Sequence, residues 1–400
     1  MAPQAQNAGR GVTPSPGTEE VLRAVAHGLA PFGAGRRADV SRGVVLAVSG
    51  GRDSMVLLHA AVRAAPAALR AVATFDHGTG PHATAAAALV RATAHACGVP
   101  VVSATSTRSG RTEADWRETR WRFLRDVARD VGAAAVATAH TRDDQLETVA
   151  LRVLRGAGAR GVAALAARSP AVVRPFCTVS RVELAGYAEV ADVRWIEDPS
   201  NTDRRHARVR VRADLLPAVD RVAPSAAGRL LATAARAAVW RDAVDAWVAR
   251  GLSREVQEDV QEFDAAAERA TTEARLRVAA LASYDAEALA VFWPAFAARA
   301  SVRLDRRAIA RLLAWTGRVT GRVRDGTVQP ARVPLAGGAV VLTHTGLTLD
   351  DADHDWTFII RSVTPDAPDR PSPGRAIGVA APAASDYACP LVDPAPTPRP

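Results

Sequence analysis

The chain has 400 residues, a mass of 42.0 kDa, 48% hydrophobic residues and a formal net charge of +9 at pH 7. This length exceeds one typical core and predicts two or three globular domains, and the positive charge favours a polyanionic partner. All 51 basic residues are arginine, which excludes a Walker-type phosphate loop because that loop needs a lysine. The 3 cysteines are widely separated and form no CxxC pair, so they predict neither a zinc site nor an iron–sulfur cluster.

The two ends of the chain are rich in proline and small residues. Residues 1–17 and 363–400 have little apolar periodicity, so both segments are expected to be disordered. The start of the chain lacks a basic stretch followed by an apolar run, and no run of about 18 apolar residues occurs in the sequence. The sequence therefore predicts neither secretion nor a membrane span, and the cytoplasm is the expected location.

Residues 18–217 contain short apolar runs that alternate with longer amphipathic ones. In chain order, the runs are Val44–Val48, Met55–Ala64, Ala71–Phe75, Ala83–Ala96, Val99–Ala104, Glu113–Asp130, Ala134–Ala139 and Asp143–Leu154. This alternation predicts an α/β fold with a doubly wound parallel sheet covered on both faces. Residues 218–320 are predicted to form a helical domain, because the pattern is helical and arginine-rich from about Pro217 to Arg250 and again from Ala279 to Trp315. Residues 321–362 predict a small β-rich region with a hairpin around Gly337-Gly338.

The segment Ser49-Gly50-Gly51-Arg52-Asp53-Ser54 follows the first predicted strand and precedes a predicted helix. Adjacent glycines let backbone N–H groups point into a turn, and the serine hydroxyls and the helix N-terminus add donors for an anion. Asp53 cannot bind a phosphate directly, so its expected role is to hold Mg²⁺ against one. The alternative is an ordinary strand-to-helix turn in which Ser49 or Asp53 is the N-cap.

Polar clusters follow two further predicted strands. Asp76-His77 comes after the second strand and His140–Thr148 after the fourth, at the sheet edge where ligands of parallel sheets bind. Thr141 and Asp144 have the spacing of a capping box, and Asp143 suits the positive end of a helix dipole. Beside a phosphate loop, the same carboxylates are also candidates for metal binding or proton transfer. The residues alone leave both interpretations open.

The complete loop string resembles that of the ATP-pyrophosphatase (N-type) superfamily, whose members activate a substrate with ATP as an adenylate and release pyrophosphate. Further motifs narrow the resemblance to the tRNA(Ile)-lysidine synthetase family. They are Asp76-His77-Gly78, Glu113 with Arg117 and Arg120-Trp121, His140–Thr148 with Leu151–Gly158, Arg174-Pro175, Ser180–Leu184 and Trp195–Asn201. The resemblance covers residues 43–217 and is weaker as far as residue 350.

The resemblance implies a catalytic domain of adenine nucleotide α-hydrolase-like fold in residues 18–217 and a helical tRNA-binding domain in residues 218–320. The implied reaction joins free L-lysine to the wobble cytidine of tRNA(Ile) with a CAU anticodon. ATP adenylates the C2 oxygen of cytosine with release of pyrophosphate, and an amine of lysine then displaces AMP. ATP and Mg²⁺ are the implied cofactors, and a homodimer is compatible with the resemblance.

The resemblance also implies roles for individual residues. The implied catalytic residues are Asp53, Arg117, Asp143 and Arg208, with Asp53 as the Mg²⁺ ligand. The implied nucleotide-binding residues are Ser49, Gly50, Gly51, Arg52, Asp53, Ser54, Asp76 and His77. The implied substrate-binding residues are His140, Asp144, Glu147, Arg120, Arg210 and Arg212. Arg117 and Arg208 are candidates for binding the α-phosphate or the tRNA backbone. Asp143 is a candidate for contacting the lysine or the base, either as a proton acceptor or as an orienting group.

The sequence departs from the family pattern where Thr79 replaces an apolar residue, Thr141 a second histidine and Val209 an asparagine. Three alternatives to a lysidine synthetase stay open. A thiolase-type relative would need reactive cysteines, for which Cys97 and Cys177 are poorly placed. An amidotransferase-type ligase would need a glutamine-hydrolysing domain with a Cys/His constellation. A catalytically silent RNA-binding relative is disfavoured by the intact loop and the intact segment after the fourth strand.

Overall fold

The computed structural model describes residues 16–33, 43–78, 80–106, 113–163, 168–169, 171–252, 273–300, 302–324, 329–335, 338–344 and 356–362. These residues fall into two compact units, the first ending at Ala235 and the second beginning at Arg236. The ends expected to be disordered lie outside the described residues except for Pro16 and Gly17, which are helical. Thr79 and Gly337 also lie outside them. None of the described helices is long and apolar enough to span a membrane.

The first unit is built on a six-stranded sheet. Its strands are β1 (Val44–Ala47), β2 (Leu69–Asp76), β3 (Val101–Thr105), β4 (Ala135–Thr138), β5 (Arg168–Ser169) and β6 (Val172–Val173). The spatial order is β3-β2-β1-β4-β6-β5, with parallel pairing throughout except for the antiparallel pair β5 and β6. The parallel sheet predicted from the sequence is confirmed.

The first unit also contains nine helices among the described residues. They are α1 (Pro16–Leu29), α2 (Arg52–Ala64), α3 (Pro81–Ala96), α4 (Glu113–Asp130), α5 (Arg142–Leu154), α6 (Ala159–Val162), α7 (Arg181–Val190), α8 (Ala207–Arg210) and α9 (Leu216–Val222). The boundary between the units falls within the next helix, α10 (Ala226–Leu252). A π-helical turn, Val211–Leu215, joins α8 to α9. Single 3₁₀ turns occur at Ala30–Phe32, Pro66–Ala68, Pro175–Thr178 and Pro199–Thr202.

The central strand β1 is buried on both faces, which explains its continuous apolar sequence. Successive side chains of a strand point to opposite faces, and those of β1 enter two different cores. Leu46 packs in a core with residues of α1, α2, α3 and α7, whereas Val45 packs with residues of α4. Strands β2 and β3 lie on one side of β1 in the sheet, and β4 lies on the other, so the strand order reverses between β1 and β4. A crevice is expected at the carboxyl ends of these two strands.

The second unit combines helices α11 (Ala286–Arg299) and α12 (Arg306–Arg324) with an antiparallel sheet. The strands are β7 (Glu273–Arg277), β8 (Ala331–Leu335), β9 (Gly338–His344) and β10 (Trp356–Ser362), in the order β7-β10-β9-β8. A 3₁₀ turn, Val278–Leu281, follows β7. Trp293, Phe296 and Phe358 are fully buried in the core of this unit.

The second unit bears on two predictions, the hairpin around Gly337-Gly338 and the extent of the β structure. Antiparallel pairing of β8 with β9, with Leu335 opposite Gly338, confirms the hairpin, although its turn lies outside the described residues. Strand β7 lies within residues 218–320, the domain that was predicted to be helical. Its alternation places Ala274 and Leu276 in the core, so the β structure is not confined to residues 321–362.

Candidate active site

The loop from Ser49 to Ser54 joins β1 to α2 at the carboxyl edge of the sheet. Gly50 has a φ of +87°, a left-handed conformation that glycine adopts without strain. A Cβ at this position would lie 2.7 Å from the Cβ of Ala86 on α3, so the loop also needs glycine for space. The Gly50 carbonyl accepts a hydrogen bond from the Ile196 N–H at 3.0 Å. This bond ties the loop to the segment Trp195–Asn201.

The N-cap of α2 is Gly51, so neither Ser49 nor Asp53 caps the helix as an ordinary turn would require. The Ser54 hydroxyl donates to the Gly51 carbonyl at 2.8 Å and accepts from the Ser49 N–H at 3.1 Å. Ser54 is buried and braces the loop from within, whereas Ser49 is exposed. The Ser54 N–H donates to the Gly51 carbonyl, but glycine has no side chain to cap the helix, so the N–H groups of Arg52 and Asp53 suit a bound anion.

Arg181, the first residue of α7, lies at the centre of a group of carboxylates. Its guanidinium donates to Glu147 Oε1 and to Asp144 Oδ1, each at 2.6 Å. Its Nε lies 3.7 Å from Asp53 Oδ2, and its backbone N–H donates to Asp143 Oδ2 at 2.9 Å. Arg181 therefore connects the phosphate loop to the acidic start of α5.

These contacts shift the pKa values of the group. Burial alone would lower the pKa of the Arg181 guanidinium, but the carboxylates of Asp144 and Glu147 raise it above its usual value. Burial opposes ionisation of Asp144, yet Arg181 and hydrogen bonds from Thr141 hold the pKa of its carboxyl below the usual range. Burial raises the pKa of Asp53, and the nearby Arg52 and Arg181 offset this only in part. A bound cation would offset this cost of burying the ionised Asp53 carboxylate.

Glu147 is enclosed by arginines. It is 0% exposed, and its carboxylate lies 2.7 Å from Arg212 Nε and 3.4 Å from Arg208 Nε in addition to the contact with Arg181. Arg208 also donates to the Thr148 hydroxyl at 2.9 Å. Because a buried carboxylate needs paired cations, Glu147 fixes the positions of these three guanidinium groups.

Asp143 and Asp144, two adjacent carboxylates at the start of α5, have different partners. Thr141 is the N-cap, and its reciprocal hydrogen bonds with Asp144 confirm the predicted capping box. Asp143 does not cap α5, and its Oδ2 instead accepts the Arg181 N–H at the start of α7. Nearby, Thr138 Oγ1 lies 2.8 Å from His140 Nδ1. Burial lowers the pKa of His140 to about 4, so its ring is neutral at pH 7.

Asp76 and His77 have different environments at the end of β2. The Asp76 carboxylate accepts the Gly78 N–H at 2.7 Å and the Thr84 hydroxyl at 3.0 Å, so it braces the turn into α3. The His77 ring lies 6.2 Å from the Trp116 ring, centroid to centroid. Three buried atoms in this region have no hydrogen-bond partner among the described residues: His77 Nδ1, Trp116 Nε1 and Arg120 Nε. Unpaired buried polar atoms are costly, and a bound ligand is one explanation for them.

Four arginines, which we call the arginine wall, interact electrostatically beside these atoms: Arg117, Arg120, Arg174 and Arg208. Burial lowers the pKa of Arg120, and Arg117 and Arg208 lower it further. Burial likewise lowers the pKa of Arg174, with a smaller contribution from Arg117. Cations that depress one another's pKa form a positive surface, which favours a bound anion such as a phosphate.

The structure brings together most of the residues singled out from the sequence. Asp53, Asp143, Asp144, Glu147, Arg208 and Arg212 meet through Arg181 and Glu147. Arg210 lies apart from them, because its guanidinium donates to the carbonyls of Arg204 and Arg205.

Sequence reasoning did not assign a role to Arg181, Arg174 or Trp116. A local signal existed for Arg181, since Ser180 and Glu183 form a capping box that marks the start of α7 beside it. Trp116 had no such signal, because its partner His77 follows β2, which is distant in sequence.

Known proteins resemble the first unit. Residues 20–219, half of the chain, match the family model of the PP-loop domain. A tRNA(Ile)-lysidine synthase of Salinispora tropica is 40% identical over 213 residues, which cover 50% of this chain and 64% of that protein. A Thermus thermophilus protein of the same name is 41% identical over 202 residues, which cover 48% of this chain and 39% of that protein.

A solved structure, the U34-tRNA thiolase NcsA from Methanococcus maripaludis with its [4Fe-4S] cluster, aligns with a TM-score of 0.43 and 14% identity. The alignment covers 55% of this chain and 79% of that chain, and a likeness at this level carries no functional information. The present chain spans less than two thirds of the length of the curated relatives described above. From the match over residues 20–219, together with the observed parallel sheet and glycine loop, this chain belongs to the PP-loop domain family.

Proposed function

We propose that this protein is an ATP-dependent tRNA(Ile)-lysidine synthetase. The observation that carries the proposal is the contact of Arg181 with both the phosphate loop and α5, because it joins an ATP site to carboxylates that suit a cationic amine. The similarity to proteins of that name over the same unit supports this choice of reaction.

The loop would bind the pyrophosphate end of ATP. The backbone of Gly50 and Gly51 and the N-terminus of α2 offer N–H groups to the departing phosphates. No three His, Cys, Asp or Glu side chains of the described residues converge on a metal site. Mg²⁺ fits nevertheless, because it needs only one or two carboxylates beside phosphate oxygens. Asp53 would hold it, and the ion supplies charge neutralisation to the departing pyrophosphate.

The arginine wall would bind the α-phosphate. Arg117 and Arg208 both lower the pKa of the buried Arg120, and Arg120 Nε has no hydrogen-bond partner among the described residues. The C2 oxygen of the cytosine attacks the α-phosphorus, and the bond to the pyrophosphate breaks. The new phosphodiester-like group keeps its negative charge through this step, and forked guanidinium donors suit its oxygens.

Asp143 would orient the second substrate. The lysine amine attacks C2, the C2–O bond breaks, AMP leaves with the oxygen, and the nitrogen loses a proton. The carboxylate of Asp143 is fixed by the Arg181 N–H at 2.9 Å, and Arg181 also contacts the loop that would hold ATP. A carboxylate in this position suits an ammonium group before attack and a leaving proton after it.

The second unit offers a surface for the tRNA backbone. Helix α12 has six arginines among its 19 residues and no acidic residue. Arg307, Arg311, Arg318 and Arg322 are exposed and recur on one face at helical spacing. The opposite face, with Leu312 among its members, is buried in the core of the unit. The exposed face therefore forms a cationic stripe about 22 Å long.

Charge pairing distinguishes this stripe from an ordinary solvated face. On α4, Arg122 lies 3.1 Å from Glu118 and Arg129 lies 3.0 Å from Asp126. In the part of the chain that the structure describes, no carboxylate pairs with the four arginines of the stripe. Exposed arginines suit phosphate groups, which position a nucleic acid without reading its sequence.

The cytoplasmic location and a homodimer stay predictions.

A thiolase-type reaction is the second candidate within the family, and the cysteines disfavour it. Cys177 is buried, and burial raises the pKa of its thiol to about 11, which makes it a poor nucleophile at pH 7. Cys97 is half-buried at the end of α3, away from the loop, and Cys389 lies outside the described residues.

The proposal is tested by transfer of labelled lysine to tRNA transcripts. The full chain should incorporate lysine into tRNA(Ile) with a CAU anticodon, only with ATP and Mg²⁺, and release one AMP and one pyrophosphate for each lysine. A transcript with uridine in place of the wobble cytidine is the matched control and should accept none. Absence of transfer to the first transcript, or equal transfer to both, would contradict the proposed reaction.

A further inference from the structure

His59 and Tyr187 form a polar pair inside the main hydrophobic core. His59 Nδ1 lies 2.7 Å from the Tyr187 hydroxyl, and the two residues are 3% and 1% exposed. Their neighbours in this core are aliphatic residues such as Leu58 and Leu184. An aliphatic or phenylalanine side chain would fill the same space without a polar atom, so the pair calls for an explanation beyond packing.

The pair has a regular relationship to the active site. His59 follows Asp53 by six residues on α2, and Tyr187 follows Arg181 by six residues on α7. Asp53 and Arg181 face each other at 3.7 Å, and the same two helices meet again at the hydrogen bond. Helices α2 and α7 therefore lie side by side with their N-termini at the same end. The contact between His59 and Tyr187 lies about 9 Å along the helix axes from the contact between Asp53 and Arg181.

The hydrogen bond adds a directional constraint to the packing of the surrounding core. Aliphatic contacts are not directional, so the core alone distinguishes less sharply between neighbouring registers of two helices. A buried hydrogen bond is directional, and breaking it leaves a polar atom without a partner. The bond therefore opposes a shift of α7 along α2, and such a shift would move the Arg181 guanidinium away from Asp53.

Both groups stay neutral over a wide pH range. Burial lowers the pKa of His59 to about 4, and burial raises the pKa of Tyr187 to about 12, with Arg63 as the nearby cation in both cases. The bond is thus a neutral one that persists through the pH range in which enzymes are assayed.

We propose that the hydrogen bond between His59 and Tyr187 sets the register of α7 against α2 and thereby positions Arg181 opposite the ATP loop. His59 and Tyr187 are then positioning residues that touch no substrate. The inference rests on the proposed function only for its turnover readout, since ATP binding reports on the same loop independently.

The test compares three variants of the full chain. Tyr187→Phe removes the hydroxyl and keeps the ring. The double variant His59→Leu with Tyr187→Phe replaces both partners by apolar groups, which can recover stability because no buried polar atom is left unpaired. Val25→Ala, in α1, weakens the same core and leaves both partners of the hydrogen bond in place. Each is assayed for melting temperature, ATP dissociation constant and the kcat and KM of lysine transfer, well below the melting temperature.

We expect Tyr187→Phe and the double variant to lose about tenfold in kcat, as a small misplacement of a site residue does, with little change in the KM for tRNA. Their ATP affinity should fall as well, whereas Val25→Ala should lower only the melting temperature. Normal kcat and ATP affinity in the double variant would overturn the proposal, as would a loss in Val25→Ala equal to that in Tyr187→Phe. If Tyr187→Phe does not fold, the double variant alone decides. A wild-type chain that binds ATP but transfers no lysine would instead contradict the proposed function, and the ATP affinities would still test the pair.

Discussion

Arg181 Nη2 lies 2.6 Å from Asp144 Oδ1, although the two residues are 37 positions apart in the chain. The bond joins the first turn of α7 to the first turn of α5. Both helices begin with a capping box, so each end of the contact is held by local hydrogen bonds as well as by the ion pair. Local capping and a long-range ion pair thus act together where the phosphate loop and the acidic start of α5 meet.

Replacement of this arginine should impair both stability and activity. Arg181→Gln leaves Asp144 without its guanidinium partner and removes one of the three arginines around the buried Glu147. Loss of one partner of a buried ion pair typically costs about 3 kcal/mol or more, so the free energy of unfolding should fall by that order in urea titrations. Lysine transfer should be lost at temperatures where the variant is folded. Arg205→Gln, at an exposed pair with Asp203, is the matched control and should change neither property.

The adjacent carboxylates Asp143 and Asp144 should respond differently to the same substitution. Asp143→Asn keeps the volume and an oxygen that can accept the Arg181 N–H, so the melting temperature should change little while turnover falls by about two orders of magnitude. Asp144→Asn weakens the capping box and the bond to Arg181, so it should lower the melting temperature as well. Normal lysine transfer by Asp143→Asn would remove Asp143 from the active site.

Local patterns predicted much of the first unit. The apolar run of β1 and the Thr141 capping box are determined within a few residues, and both were found where the sequence placed them. The glycine loop was predictable for the same reason, although its N-cap is Gly51 rather than a side chain. Family resemblance supplied the remaining site residues without their geometry.

Contacts between distant segments could not be read from the sequence. Arg181 meets Glu147 across 34 residues, and His77 meets Trp116 across the intervening strand and helix. The resemblance grouped Arg210 with Arg212 and set Arg208 apart, yet Glu147 binds Arg208 and Arg212 while Arg210 braces a turn. Residues four apart share one face of a helix and residues two apart do not, so the helical course of this segment decides which guanidinium faces the buried carboxylate. Strand β7 was not predicted from the sequence, because its five alternating residues are too few to stand out between two helical patterns.

Two buried histidines predict a loss of stability in mild acid. Burial lowers the pKa of His59 and of His140 to about 4, from an ordinary value of 6.5. Between these values the unfolded chain binds more protons than the folded chain, so the free energy of unfolding falls as the pH falls from 6.5 to 4. The penalty is absent well above pH 6.5 and grows below it, and each histidine should contribute about 2 kcal/mol to the difference between pH 7.5 and pH 4.5.

Urea unfolding at a series of pH values measures this dependence. The double variant His59→Leu with Tyr187→Phe should show a shallower fall than the wild type, because one of the two titrating groups is gone. His82→Gln, which removes an exposed histidine on α3, is the control for the loss of an imidazole. A flat profile between pH 7.5 and 4.5 would show that neither ring is held neutral by burial.

The cationic stripe on α12 predicts how tRNA binding depends on salt. Arg311→Gln with Arg318→Gln removes two exposed arginines that have no carboxylate partner among the described residues. If each contacts a phosphate, the slope of log Kd against log salt concentration should decrease by about 1.5, because each contact releases most of one counterion. The dissociation constant at moderate salt should rise about tenfold, while ATP affinity, which depends on the first unit, should not change.

A matched pair on α4 separates specific contact from net charge. Arg122→Gln with Arg129→Gln removes the same two charges, but these arginines already pair with Glu118 and Asp126. Removing them should leave both the slope and the dissociation constant close to those of the wild type. Filter binding of tRNA at four salt concentrations measures all three proteins. Equal changes in the two double variants would mean that overall charge attracts the RNA, whereas a loss confined to the α12 variant would place phosphates along that stripe.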